Sequence, residues 1–129
     1  MDMEGLVIAA TGKTPKVVLD PSKGWLEISG CSIHENSDKF FSPIQDRIEA
    51  YARMPARATT VRMEMSYFNS SSAKYILDIL RRLEDLHMEG TSKVVLEWRY
   101  RSDDLDMQEA GSDYGSLLEF PVKLIAVDD

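Results

Sequence analysis

Three consecutive serines, Ser70 to Ser72, are the residues of this chain whose type and position best suit a chemical function. They follow Asn69 and precede an apolar stripe with helical spacing, so the sequence predicts that they begin a helix. Capping would need only one side chain that accepts a hydrogen bond from a helix N–H, and it gives no reason for three serines in a row. A phosphoryl group on one of them would carry about −1.5 to −2 charges, which a helix N-terminus tolerates. The run therefore predicts either a simple cap or a phosphorylation site.

Other segments with the residue types of known sites lack the rest of the pattern. Gly12-Lys13-Thr14 resembles the end of a phosphate-binding P-loop, but Val7 stands where that motif needs its first glycine, and an extended segment follows instead of a helix. Cys31 and His34 would be half of a metal site, and the sequence offers no second pair. The acidic run 103–106 lacks the glycine and closing glutamate of an EF-hand loop. We therefore predict that the chain holds no metal and no cofactor.

An enzyme is the less favoured interpretation of the polar residues. Nucleophilic catalysis needs a serine or cysteine beside a base and an orienting acid, and only His34 and His87 would supply an imidazole base. Neither histidine has a recognisable catalytic context, and the sequence has no nucleophile elbow and no glycine-rich dinucleotide loop. A small hydrolase that uses Glu35 with the acidic run 103–106 remains as an alternative. We predict that the protein is not an enzyme.

The elements that must position the serines alternate between strands and helices. The first helix has two candidate starts, at Asn36-Ser37 or at Ser42-Pro43, where Ser42 and Gln45 form a capping-box pattern. In chain order, we predict a hairpin of strands Lys16–Asp20 and Trp25–Gly30, this first helix, a strand Thr60–Phe68, a helix from the serines to Gly90, a strand Val94–Arg101, a short helix Asp103–Ala110 stopped by Gly111, and an extended segment Phe120–Val127. Within the strand Thr60–Phe68, the alternation predicts one buried side with the members Val61, Met63, Met65 and Tyr67.

This order of elements predicts the fold class. Strands that alternate with helices imply right-handed crossovers and a parallel sheet, and the hairpin adds antiparallel edges. We therefore predict an α/β fold: a single small domain over residues 1–129, with a mostly parallel central sheet, an N-terminal hairpin and about three helices.

Composition and charge limit the partners and the location. The 129 residues are 43% hydrophobic and 29% charged, which suits one globular domain. The net charge is −7, and residues 97–129 alone hold nine acidic and three basic residues, which argues against binding to nucleic acid or to anionic membranes. The single cysteine excludes an intrachain disulfide. The first residues are acidic where a signal peptide is basic, and no apolar stretch approaches the ~20 residues of a membrane span, so we predict a cytoplasmic protein.

Over nearly its whole length, the chain resembles the SiaC family of bacterial regulatory phosphoproteins. The resemblance depends on the order and spacing of short motifs, which are Thr14-Pro15, Leu26–Gly30, Ser32–Asn36, Tyr67–Lys74, Trp98–Tyr100 and Asp104–Gly111. It implies a fold like that of the anti-sigma-factor antagonists, which is called STAS-like.

The resemblance also implies a function as a switch protein. In the family, a dedicated serine/threonine kinase phosphorylates the hydroxyl residue after the Tyr-x-Asn motif, and a metal-dependent PPM-type phosphatase reverses the modification. The unphosphorylated form binds and activates a diguanylate cyclase, which raises cyclic di-GMP and favours biofilm. The modified position corresponds to Ser70, where relatives usually carry threonine, and His34 stands where relatives commonly carry proline. On the two matching motifs we predict these partner-binding residues: Glu35, Asn36, Tyr67, Asn69, Ser71 and Lys74.

A second binding function remains open beside the first. The protein would then be a partner-switching antagonist that sequesters an anti-sigma factor kinase and frees a sigma factor. A diguanylate cyclase gene beside the gene for this protein would favour the first hypothesis, and a pair of sigma-factor and anti-sigma-factor genes would favour the second.

Overall fold

The computed structural model describes residues 5–128, which form six strands and three helices. The strands are β1 (Leu6–Ile8), β2 (Lys16–Asp20), β3 (Trp25–Ser32), β4 (Ala58–Phe68), β5 (Lys93–Arg101) and β6 (Val122–Val127). The helices are α1 (Ser37–Arg53), α2 (Ser70–Glu89) and α3 (Leu105–Leu117). No helix in this part of the chain has the length and apolar character that a membrane crossing requires.

The strands lie in the sheet in their sequence order, from β1 at one edge to β6 at the other. The pairs β1–β2 and β2–β3 are antiparallel, and the pairs β3–β4, β4–β5 and β5–β6 are parallel. One helix connects each parallel pair, as the loop-closure geometry of parallel strands requires. The predicted α/β class, mostly parallel sheet, hairpin and three helices are therefore confirmed. The sequence analysis missed β1, which adds a third antiparallel strand.

The helices pack on one face of the sheet because successive right-handed crossovers in one direction place them on the same side. The residues of β4 and β5 that face the helices are buried, among them Val61, Met63, Leu96 and Trp98. The opposite face is solvated and carries ion pairs between neighbouring strands. These pairs are Lys16 with Glu27 at 3.4 Å, Arg62 with Glu97 at 2.9 Å, and Arg99 with Glu64 at 2.6 Å.

Helix α1 begins at the first of its two candidate positions. The side chain of Asn36 accepts a hydrogen bond from Lys39 N at 3.1 Å, which makes Asn36 the N-cap. The alternative start at Ser42-Pro43 is wrong, because Pro43 lies inside the helix. The cap and the burial of Phe41 stabilise the first turns although proline donates no hydrogen bond.

Helix α3 continues past Gly111 to Leu117, so the predicted stop at Gly111 is wrong. Gly111 is needed here for close packing, because a Cβ atom at this position would lie 2.7 Å from Leu124 Cδ2 and closer still to the Trp98 ring. Helix α3 therefore lies directly on the buried indole of Trp98, which also donates a hydrogen bond to Met107 O at 2.9 Å.

We expect Gly111→Ala to lower the free energy of unfolding by about 1–3 kcal/mol, because the added methyl group overpacks the contact with Trp98. Gly115→Ala is the matched control in the same helix, since its Cβ would lie 3.7 Å from the nearest atom, on Val122. The control should be neutral or raise stability by about 0.4–1 kcal/mol. Urea denaturation measures both values, and equal effects of the two substitutions would contradict this packing.

Candidate functional site

Two helices begin at the edge of the sheet where β3 and β4 end. Asn69 is the N-cap of α2, because its Oδ1 accepts a hydrogen bond from Ser72 N at 2.9 Å. Its backbone N–H donates to Ser32 O at 3.0 Å, which holds the start of α2 against the end of β3. Asn36, four residues after Ser32, is the N-cap of α1. The positive ends of two helix dipoles therefore lie at the same edge.

The three serines at the start of α2 have three different environments. Ser72 is fully buried, with its Oγ 2.8 Å from Ser32 Oγ and donating to Ser32 O at 3.0 Å. Ser71 is exposed but donates to Asn69 Oδ1 at 3.1 Å, and its Oγ lies 2.7 Å from Ser37 Oγ. Ser70 is exposed, and its hydroxyl makes no hydrogen bond with any residue from 5 to 128. Ser70 therefore has the most accessible hydroxyl of the run.

Tyr67 lies on the surface, with 57% of its area exposed, so its predicted burial beside Met65 is wrong. The cause is a β-bulge. Gly30 pairs with Met65 and the next residue, Cys31, pairs with Tyr67, which leaves Ser66 as an extra residue in β4. The extra residue reverses the alternation of faces, so Phe68 packs on the core and Tyr67 turns outward three residues before Ser70.

The other predicted site residues lie at the same edge. Lys74 is exposed and lies four residues after Ser70, on the same face of α2. Glu35 is exposed in the loop before the cap residue Asn36. That loop is ordered by His34, whose Nδ1 accepts a hydrogen bond from Asn36 N at 2.9 Å. The structure thus gathers all seven predicted residues on two adjoining junctions between a strand and a helix.

The sequence analysis missed the hydroxyl groups that join these two junctions. Ser32 at the end of β3 and Ser37 at the start of α1 contact Ser72 and Ser71, respectively. Serines at both junctions were the only available signal in the sequence. The pairing itself depends on contacts between residues 34 and 40 positions apart, which local patterns do not show.

Helix α3 makes a hydrogen bond with the first turn of α2. The phenol of Tyr114 donates a hydrogen bond to Ala73 O in the first turn of α2 at 3.3 Å. Burial raises the pKa of Tyr114 to about 12, because the phenolate would be poorly solvated at this position. The hydroxyl therefore stays protonated at neutral pH and keeps its donor.

The acidic run 103–106 follows the carboxyl end of β5, which is parallel to β4 and ends on the same side of the molecule as β3 and β4. Its residues line an open cleft of about 1030 Å³ together with Glu64 and Asp128, and Glu35 is not among the lining residues. Asp104 is the N-cap of α3 and accepts a hydrogen bond from Met107 N at 3.0 Å. In the described part of the chain, no three His, Cys, Asp or Glu side chains form a group that could hold a metal ion. The structure thus does not join Glu35 to the acidic run, as the hydrolase alternative requires.

The candidate site is a surface of exposed side chains, Tyr67, Ser70 and Lys74, at one end of the sheet in a small α/β domain. Comparison with known proteins assigns this domain to a class of regulatory phosphoproteins. The family described as "SiaC family regulatory phosphoprotein" matches residues 8–127, and the chain belongs to this family. The resemblance inferred from the motifs is confirmed.

Individual relatives match over almost the whole chain. The protein is 31% identical over 127 residues to an uncharacterized protein of Pseudomonas aeruginosa strain UCBPP-PA14, covering 98% of this chain and 100% of the relative. The crystal structure of apo-SiaC from Pseudomonas aeruginosa superposes with a TM-score of 0.86 at 31% identity, covering 96% of this chain and 100% of that one. A chain in the crystal structure of the diguanylate cyclase SiaD in complex with its activator SiaC gives a TM-score of 0.89 at 30% identity, covering 95% of this chain and 99% of that one.

Proposed function

We propose that this protein is a non-enzymatic signalling adaptor whose unphosphorylated form binds and activates a diguanylate cyclase. The likeness to a structure that contains a cyclase with its activator supports this partner, since the match covers 95% of the chain. The observation that carries the switch is the isolation of the Ser70 hydroxyl, which is exposed while Ser71 and Ser72 are engaged in hydrogen bonds.

Phosphorylation of Ser70 by a serine/threonine kinase turns the adaptor off, and a PPM-type phosphatase restores it. The fold tolerates both forms, because the phosphate lies at the positive ends of α1 and α2 and one turn from Lys74. The same modification at Ser72 would force a dianion into the core. Ser70 is therefore the position at which charge is added without unfolding.

The surface presented to the cyclase surrounds Ser70. Tyr67 is its aromatic anchor, since exposed tyrosines are enriched among the residues that dominate binding energy. Hydrogen bonds between Asn69, Ser71 and Ser72 fix the first turn of α2, and Lys74 adds a positive charge on the same face. Glu35 and Asn36 extend the surface onto the neighbouring loop.

The surroundings of Ser70 support the proposal that the protein is not an enzyme. A nucleophilic serine needs a base within hydrogen-bond reach, and among residues 5–128 neither histidine takes that place. His34 Nδ1 accepts from Asn36 N, and His87 Nδ1 accepts from Val94 N at the far end of α2. These contacts support a Ser70 that is modified by another enzyme over one that acts as a nucleophile.

The test is to incubate the protein with the candidate kinase from the same genome and ATP, and to map the phosphate by mass spectrometry. We expect one phosphate, on Ser70, and none on Ser71 or Ser72. Ser70→Ala should abolish the modification, and Ser71→Ala, one residue away, should retain it. Stoichiometric modification of Ser71 or Ser72 with Ser70 untouched would contradict the proposal.

A further inference from the structure

The loop between β1 and β2 lies beside the serine junction, although its residues are more than fifty positions away in the sequence. Lys13 O accepts a hydrogen bond from Ile33 N at 2.8 Å, and Ser32 O accepts one from Asn69 N at 3.0 Å. The backbone at Lys13, at Ser32 and Ile33, and at Asn69 therefore forms three adjacent segments. Neighbouring segments in such an arrangement are about 5 Å apart, so Lys13 and Asn69 are separated by about 10 Å.

The backbone of this loop is fixed by its own hydrogen bonds. Thr11 Oγ1 accepts from Lys13 N at 3.1 Å and from Thr14 N at 2.9 Å, and it lies 2.7 Å from Thr14 Oγ1. Pro15 is buried where the loop enters β2. The side chain of Lys13, in contrast, is exposed and forms no ion pair with the residues that the structure describes. The loop thus presents an exposed ammonium group from a backbone that hydrogen bonds hold in place.

We propose that Lys13, together with Lys74, binds the phosphoryl group on Ser70. This inference rests on the proposed phosphorylation of Ser70 and adds a second cation from a different part of the fold. Lys74 reaches the phosphate along α2, and Lys13 reaches it across the end of β3, because the four-carbon stem of lysine is flexible. The motif Gly12-Lys13-Thr14, which the P-loop pattern does not explain, has its function here.

Acidic residues close to Ser70 would repel a phosphate there unless nearby cations bind it. Glu35 and Asp38 are exposed near the start of α1 and would repel a phosphate on Ser70. Asp38 accepts a hydrogen bond from Tyr75 Oη at 2.8 Å, which holds its carboxylate near α2. Two ammonium groups together carry as much positive charge as the phosphate dianion carries negative charge, so they hold the phosphate against this repulsion. The phosphorylated form therefore draws Lys13 and Lys74 away from any partner that they would otherwise contact.

The test uses phosphoserine introduced genetically at position 70, so that no kinase is needed, and follows its ³¹P resonance against pH. A nearby cation favours the dianion and lowers the second pKa of the phosphate, so Lys13→Ala should raise the titration midpoint. We expect a rise of about 0.3–0.7 pH unit, the size of an exposed ion pair, which shrinks in high salt. Lys74→Ala should act similarly, and Lys13→Arg should restore the original midpoint.

Lys23→Ala is the matched control. Lys23 is exposed in the turn between β2 and β3, which lies at the end of the strands opposite the serines. It should leave the midpoint unchanged, and thermal unfolding of the unmodified variants should show that each one folds. Superimposable titrations of the Lys13→Ala variant and the parent would overturn the inference. Binding of the cyclase is a separate readout. If phosphoserine at position 70 leaves cyclase affinity unchanged while Lys13→Ala shifts the midpoint, the proposed function fails and the phosphate site stands.

Discussion

Phosphorylation of Ser70 is expected to weaken binding of the cyclase by about 100-fold while the fold stays intact. In the free protein the phosphate is solvated and lies at two helix N-termini, so it costs little. In the complex it would have to be desolvated and paired by the partner, and a loss of ~3 kcal/mol gives the expected factor. Calorimetric titration of the cyclase with each form measures the two affinities.

Two substitutions at the same position serve as controls. Ser70→Ala should bind as tightly as the unmodified protein, because Asn69 and not Ser70 caps α2. Ser70→Asp should weaken binding only in part, since a carboxylate has one charge and planar geometry. The circular dichroism spectra of the two phosphorylation states should superimpose, and their melting temperatures should agree to within a few degrees. Equal affinities, or a loss of binding that parallels a loss of structure, would count against the switch.

Ser72→Asp should lower the free energy of unfolding by about 3–5 kcal/mol, whereas Ser70→Asp should change it by less than about 0.5 kcal/mol. Ser72 is fully buried and its hydroxyl is engaged with Ser32, so an aspartate there is a charge without a cationic partner. Ser70 is exposed at the first position of α2, where a carboxylate is favourable. Urea denaturation of the two variants measures the difference.

Ser72→Ala separates the effect of the charge from the effect of the lost hydrogen bond. We expect a cost of about 1–2 kcal/mol, because the substitution leaves the buried hydroxyl of Ser32 without its partner. If Ser72→Asp and Ser70→Asp were equally stable, the start of α2 would be more open than the structure shows. The assignment of the phosphate to Ser70 would then lose its physical basis.

Much of the fold was predictable because its signals are local. The stripe of α2, its cap region at Asn69 and its end at Gly90 are all visible in the sequence, and the structure places α2 at Ser70–Glu89 with Gly90 in the left-handed conformation. The errors have causes beyond local pattern. Tyr67 is exposed because of one extra residue, Ser66, that only the pairing with β3 reveals. Helix α3 passes through Gly111 because Trp98, from another strand, requires a residue without a side chain.

The location of the candidate site was predictable from the sequence, whereas the different environments of its three serines were not. The run at the start of α2 indicated a phosphorylation site among the three serines, and the resemblance to the family indicated Ser70. The distinction among the three serines depends on Ser32 and Ser37, which lie far away in the sequence and engage Ser72 and Ser71. The position of Lys13 likewise depends on a backbone hydrogen bond to Ile33. Tertiary contacts of this kind have no periodic signature in a single sequence.

The most direct test of the switch is the rate of cyclic di-GMP synthesis by the cyclase in the presence of each form of this protein. The cyclase is assayed alone, with the unmodified protein, and with the protein that carries phosphoserine at position 70. We expect activation by the unmodified protein, and a rate near that of the cyclase alone with the phosphorylated protein at the same concentration. Equal activation by the two forms, or none by either, would contradict the account.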